Sequence, residues 1–142
     1  MRRHPSLQAL SDDHHRALVL ARRLRRTSPG SDATALAALS REVRSEFATD
    51  LEPHFRVEET WLLPALEGRG AADFAQRIRE EHARLRELVR GAWAGDTPEQ
   101  LGTLLERHVR FEERMLFPKA EQILSEDELA SVRDASDARR GA

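Results

Sequence analysis

Two stretches of this chain, offset by 54 residues, put a histidine and a glutamate four positions apart on the apolar face of a helix. The first is Leu51-Glu52-Pro53-His54-Phe55-Arg56-Val57-Glu58-Glu59-Thr60-Trp61-Leu62-Leu63-Pro64. The second is Leu105-Glu106-Arg107-His108-Val109-Arg110-Phe111-Glu112-Glu113-Arg114-Met115-Leu116-Phe117-Pro118, and eight of the fourteen pairs are identical. Residues i and i+4 stack one turn apart, so His54 shares a face with Glu58, and His108 with Glu112. In the first segment that face continues the buried stripe Leu36, Leu39, Val43, Phe47 and Leu51, through His54 and Glu58 to Trp61. A carboxylate among apolar side chains is prohibitively costly unless it is paired or binds a metal. Any fold of this sequence must bring cations to Glu58 and Glu112.

The rest of the chain is helical in pattern, with few β-branched residues and no strand-like alternation. Apolar spacing predicts a first helix over about Ser6 to Thr27, with Leu7, Leu10, Ala17, Ala21 and Leu24 inward and Ser28-Pro29-Gly30-Ser31 ending it. A second starts at Asp32 as N-cap and is closed by Pro64 and Gly68-Arg69-Gly70. Within it, Pro53 should kink the helix by removing a bond to Thr49. A third covers about Ala71 to Ala94, with Phe74, Ile78, Leu85 and Val89 inward and a break at Gly95-Asp96. The fourth opens with Thr97-Pro98-Glu99-Gln100, read as an N-cap threonine, a first-turn proline and a capping glutamine, and runs to about Leu124. Ser125-Glu126-Asp127-Glu128 is a second capping box, starting a short helix over about 126–137, and Asp137 to Ala142 should fray. Long helices joined by short loops favour an all-α, up-down-up-down four-helix bundle, one domain over 1–142 with the bundle at about 6–124.

The first and third helices add a histidine each. His14 lies on the inward row of Leu7, Leu10, Ala17 and Ala21, and His82 on that of Ile78, Leu85 and Val89. His15, about 100° around the helix from His14, competes with it. Asp13-His14 and Glu81-His82 form a weaker echo of the repeat. Four helices thus aim four imidazoles and two carboxylates at one interior. A pair of divalent metals would neutralise them, with two histidines per metal and the carboxylates shared. Nitrogen and oxygen donors without thiolate suit iron, manganese or zinc. Glu59 and Glu113 read as solvated or salt-bridged flanks, or as acceptors behind the ligands. Asp13 and Glu81 could orient an imidazole, although a helical neighbour points elsewhere. His4 reads as solvated. Phe47, Phe55, Trp61, Trp93, Phe111 and Phe117 read as core, some of them lining the site.

Other function classes find no support. The chain has no cysteine, which excludes disulfides, iron–sulfur clusters and thiol nucleophiles. Its net charge of −2, from 23 basic and 25 acidic residues, gives no electrostatic footprint for nucleic acid. No apolar run approaches the ~20 residues of a membrane span. Met1-Arg2-Arg3-His4-Pro5 has no apolar stretch behind it, so a leader is not expected. A cytoplasmic monomer or weak homodimer, without nucleic-acid or membrane partners, is the expectation.

At these residues the sequence resembles the hemerythrin family, in its bacterial HHE cation-binding branch, from about His14 to Glu121. The doubled His-x-x-x-Glu-Glu-x-x-Leu-(Leu/Phe)-Pro motif carries the resemblance. It implies a non-haem di-iron protein, with His14 and His54 on one iron, His82 and His108 on the other, Glu58 and Glu112 bridging, and oxygen at an open position. The oxygen carriers of that family have a further histidine one turn from the third-helix ligand, where this chain has Ile78 and Arg86. They also have an aspartate five residues after the last histidine, where this chain has Glu112 at four. The six-ligand set is linked to sensing of iron or oxygen, to peroxide or nitric oxide handling, and to repair of iron centres by proteins that usually carry a cysteine-bearing domain. The expectation is a metal- and oxygen-binding sensor, scavenger or store. The alternatives are a di-iron enzyme acting on peroxide or nitric oxide, and an iron-responsive interaction module. The ferritin-like alternative needs Glu-x-x-His, which does not occur here.

Overall fold

The computed structural model describes residues 2–27 and 30–140, and all regular structure among them is helical. Five rods account for it. They are α1 (Pro5–Arg25), α2 (residues 33–68), α3 (Ala72–Arg90), α4 (residues 97–123) and α5 (Glu126–Arg140). Ser28 and Pro29, expected to end the first helix, lie outside the described residues. None of the helices described is long and apolar enough to cross a membrane.

Prolines shape the two repeat-bearing rods. Pro64 was expected to close α2, but the helix continues to Gly68. The reason is a π-helical turn over Glu58–Leu62, where the Leu63 N–H donates to the Glu58 carbonyl. Similar turns occupy Phe47–Leu51, ahead of Pro53, and Glu112–Leu116, ahead of Pro118. A proline lacks an N–H and its ring collides with the carbonyl four residues back. Widening the turn that holds that carbonyl relieves both conflicts. The helix runs on through Pro53, where a kink was expected, and the widened turn ahead of it accommodates the missing bond to Thr49. The extra residue also shifts the buried stripe. Leu62 is fully buried, while Trp61, expected inward, is 47% exposed, and its repeat partner Met115 is 50% exposed.

Other element ends differ from expectation for identifiable reasons. Helix α3 stops at Arg90 because Arg44 of α2 takes its last carbonyls, with Nε donating to Val89 at 3.0 Å and a terminal nitrogen to Gly91 at 2.8 Å. Thr97 does not cap α4. Its Oγ1 accepts the Ala94 N–H at 2.9 Å, and Asp96 stands at the cap. His4, expected in solvent, caps α1 by accepting the Ser6 N–H on Nδ1 at 3.0 Å. The Ser125–Glu128 capping box forms reciprocally, at 2.8 and 3.1 Å. Fraying from Asp137 is not found, since α5 is regular through Arg140; Gly141 and Ala142 lie outside the described residues. Gly70, at φ 88°, closes α2 with the Ala71 N–H reaching back to Leu66.

The core forms two apolar clusters. One contains Leu7, Leu10, Leu62, Ile78 and Phe117, and receives Leu129 and Val132 from α5. The other contains Ala17, Leu24, Phe47, Leu85 and Leu105. On α1 and α3 the candidate histidine falls between the residues of one cluster and those of the other, and on α2 and α4 the His–Glu pair straddles the change from one cluster to the other. Helices α1 and α4 meet at Gly102, where a Cβ would lie 2.7 Å from the Ala21 carbonyl oxygen and 3.0 Å from the Leu24 Cβ. Gly102→Ala should therefore destabilise the protein by about 1–3 kcal/mol despite alanine's better helix propensity. Urea denaturation of the two proteins measures the difference.

Candidate metal centre

The polar layer between the two clusters contains His14, His54, Glu58, His82, His108 and Glu112, none more than 3% exposed. Two groups of possible metal-holding atoms overlap there. One is His14, His54, Glu58 and Glu112, and the other is Glu58, His82, His108 and Glu112, each with ligand atoms within 4.8 Å of one another. Both glutamates belong to both groups. All six residues singled out from the sequence thus converge. His15 does not join them: it is exposed, about 100° around α1 from His14.

The layer fits cations because it is unsatisfied without them. His14 Nε2 lies 2.8 Å from Glu112 Oε1. Nε2 of His54, His82 and His108, both oxygens of Glu58 and Oε2 of Glu112 are buried without any hydrogen bond. They approach one another at 3.1–3.5 Å, as in His82 to Glu58 and His108 to Glu112, but without the alignment that sharing a proton requires. Buried polar atoms are nearly always partnered. Six such atoms converging from three imidazoles and two carboxylates are what divalent metals with nitrogen and oxygen ligands would complete.

The far side of every imidazole is fully occupied. Asp13 of α1 accepts from His54 Nδ1 of α2 at 2.9 Å, and Glu59 of α2 accepts from His82 Nδ1 of α3 at 2.7 Å. Glu81 of α3 accepts from His108 Nδ1 of α4 at 2.8 Å, and Glu113 of α4 accepts from His14 Nδ1 of α1 at 2.6 Å. The four bonds form a closed ring, each rod orienting the histidine of the next. A carboxylate only accepts, so each bond fixes the proton on Nδ1 and leaves Nε2 to the interior. The objection that Asp13 and Glu81 point away from their neighbouring histidines is correct, yet they serve the histidines of other helices. A guanidinium backs each carboxylate: Arg139 on Asp13 at 2.6 Å, Arg86 on Glu59 at 2.8 Å, Arg77 on Glu81 at 3.1 Å and Arg3 on Glu113 at 3.3 Å. The acidic neighbours were visible in the sequence. Their targets were not, and of the arginines only Arg77, one turn from Glu81, follows a spacing rule, since none links Arg3 to Glu113, Arg86 to Glu59 or Arg139 to Asp13.

Aromatic rings flank the imidazoles. Phe55 stacks on His82 with centroids 3.8 Å apart and meets His108 edge-on, and Phe117 stacks on His14 at 5.5 Å. These two are the lining aromatics. Trp61 is instead on the outside.

Charge in the metal-free layer is coupled. Burial pushes the imidazoles of His14, His54 and His82 down, but the carboxylates around them, Glu112 and Glu113 for His14, outweigh it and hold all three above the usual histidine range. Burial pushes the Asp13 and Glu59 carboxyls up, and their imidazole and arginine partners reverse this, holding each at about 2. A raised histidine contributes stability that is complete below its unfolded value of about 6.5 and is lost as pH rises through the folded value. Chelator-treated protein should therefore lose stability on going from pH 6 to alkaline pH. The two depressed carboxylates act oppositely, their contribution disappearing only in strong acid. Thermal unfolding across that pH range, with and without added divalent metal, checks this. Metal-loaded protein, whose imidazoles must be neutral, should not show the alkaline loss.

A family model described as the hemerythrin HHE cation binding domain matches residues 6–120. No curated protein matches the chain, and no solved structure does.

Proposed function

Because the chain belongs to the hemerythrin HHE cation-binding family, we propose that it is a non-haem di-iron protein that binds oxygen or a related small ligand, as a sensor, scavenger or store. The observation that carries the reading is the pair of overlapping ligand groups sharing Glu58 and Glu112. In this reading His14 and His54 would hold one iron and His82 and His108 the other, with Glu58 and Glu112 shared between them, on a bundle threaded up-down-up-down as one domain. Manganese or zinc would suit the same donors. Ferrous iron held by these residues would supply an open coordination position and reducing electrons for a small ligand.

The chain's own residues set the terms of that chemistry. Asp13, Glu59, Glu81 and Glu113 hold the four imidazoles in the tautomer that presents Nε2 inward. Glu58 and Glu112 offset part of the metal charge in a region closed to bulk water. Phe55 and Phe117, buried against the imidazoles, wall the layer with apolar surface, which disfavours large polar substrates. The buried polar side chains of the layer are all accounted for as proposed ligands, which leaves no free general acid and favours binding over turnover.

Anaerobic reconstitution with ferrous iron should give about two irons per chain by elemental analysis. A visible absorption band should appear on admitting oxygen and reverse on its removal. His54→Ala and Glu112→Ala should each lose metal, and His15→Ala should retain both ions. A chain that stays colourless and metal-free after reconstitution would overturn the proposal. Peroxide or nitric oxide consumption well beyond one event per site would move the assignment to an enzyme.

A further inference from the structure

The matched family segment spans residues 6–120, yet three of the five arginines that reach the carboxylate ring, Arg3, Arg139 and Arg140, come from outside it. Arg139 of α5 donates to Asp13 Oδ2 at 2.6 Å, and Asp13 in turn holds His54. Arg3 lies 3.3 Å from Glu113 Oε1 and also donates to the Glu113 backbone carbonyl at 3.0 Å, and Glu113 holds His14. His54 and His14 belong to the same ligand group. The other two arginines, Arg86 on Glu59 and Arg77 on Glu81, lie inside the matched segment and serve His82 and His108, which make up the other group. The two halves of the centre thus depend on different parts of the chain.

The outer contacts are built rather than incidental. Arg139 and Asp13 are both mostly buried, with side chains 17% and 16% exposed. Arg140, 45% exposed, reaches the other Asp13 oxygen at a longer 3.4 Å and donates to the Ala9 carbonyl at 2.9 Å, fixing the end of α5 over α1. Arg3 is 17% exposed, ties Glu121 at 3.2 Å, and lies over the Phe117 ring that stacks on His14. By contrast Arg77, which serves the other half, is 50% exposed and bonds Glu81 one turn along its own helix.

We propose that Arg3 and Arg139 are positioning residues for the His14/His54 half of the centre, so that the segments flanking the family core tune one metal position separately from the other. The inference rests on the two-metal reading. A carboxylate that loses its guanidinium is freer to rotate or to take up water, and the imidazole it orients is then less firmly aimed. The effect passes through Asp13 and Glu113 to one pair of histidines, because these are the ring carboxylates to which the two arginines bond.

The test is a stepwise titration of the full-length metal-free protein with ferrous iron under anaerobic conditions, against a competing chelator. Mössbauer spectra of 57Fe-loaded samples report each site. Arg139→Ala and Arg3→Ala should each weaken one of two binding steps on the order of tenfold while the other stays within about threefold. The double variant should retain about one iron per chain at stoichiometric loading. Arg86→Ala should weaken the complementary step and perturb the other Mössbauer doublet. Arg139→Lys, which keeps a cation beside Asp13, should recover most of the loss. A merely structural role for α5 would lower the unfolding temperature and weaken both steps together, and that outcome would overturn the proposal. So would variants indistinguishable from wild type in both steps. If wild-type protein itself binds no iron, the two-metal reading fails, and this inference with it.

Discussion

Two fully buried carboxylates set the terms for the rest of this structure. Glu58 and Glu112 sit at 0% exposure between two apolar clusters, where an unpaired negative charge is not tolerated. Four imidazoles surround them, three held above the usual histidine range in the absence of metal. Protons on those imidazoles and metals in the layer answer the same need. The difference is that protons leave six buried polar atoms without hydrogen bonds, which is the strongest physical argument that the layer is shaped around cations.

Aiming four imidazoles at one point requires support from outside the layer. The carboxylate ring provides it, and its closure constrains the packing of the helices. Each rod must lie beside the next at a height that brings an acidic residue level with the neighbouring histidine. The close approach of α1 and α4 at Gly102 belongs to the same arrangement, since the Glu113–His14 bond spans that pair. The arginines extend the support to the surface, so the centre is connected to solvent-facing charge through two layers of bonds rather than buried in isolation.

The π turns connect the repeat to this geometry. Two of them begin at Glu58 and Glu112 and share a proline at the same distance beyond. Each begins at the inward glutamate and contains the adjacent one, Glu59 or Glu113, which reaches toward the next rod. The third π turn, ahead of Pro53, has no counterpart at Arg107, so the two halves of the chain are related without being equivalent.

The inner residues were legible in the sequence because their signal is local. The i,i+4 spacing, the 54-residue repeat and the apolar rows of His14 and His82 bring six side chains to helix faces that must be buried, whatever the helices' partners. Where the signal was local but its rule was wrong, as with Trp61, the fault was a uniform 3.6-residue period that the prolines do not allow. The Asp13, Glu59, Glu81 and Glu113 pairings belong to the tertiary structure alone. A residue beside a ligand is turned about 100° around its helix, so it faces either a neighbouring rod, as Asp13 does, or solvent, as His15 does. Which rod that is, and which histidine and arginine wait there, depends on how the helices are arranged side by side.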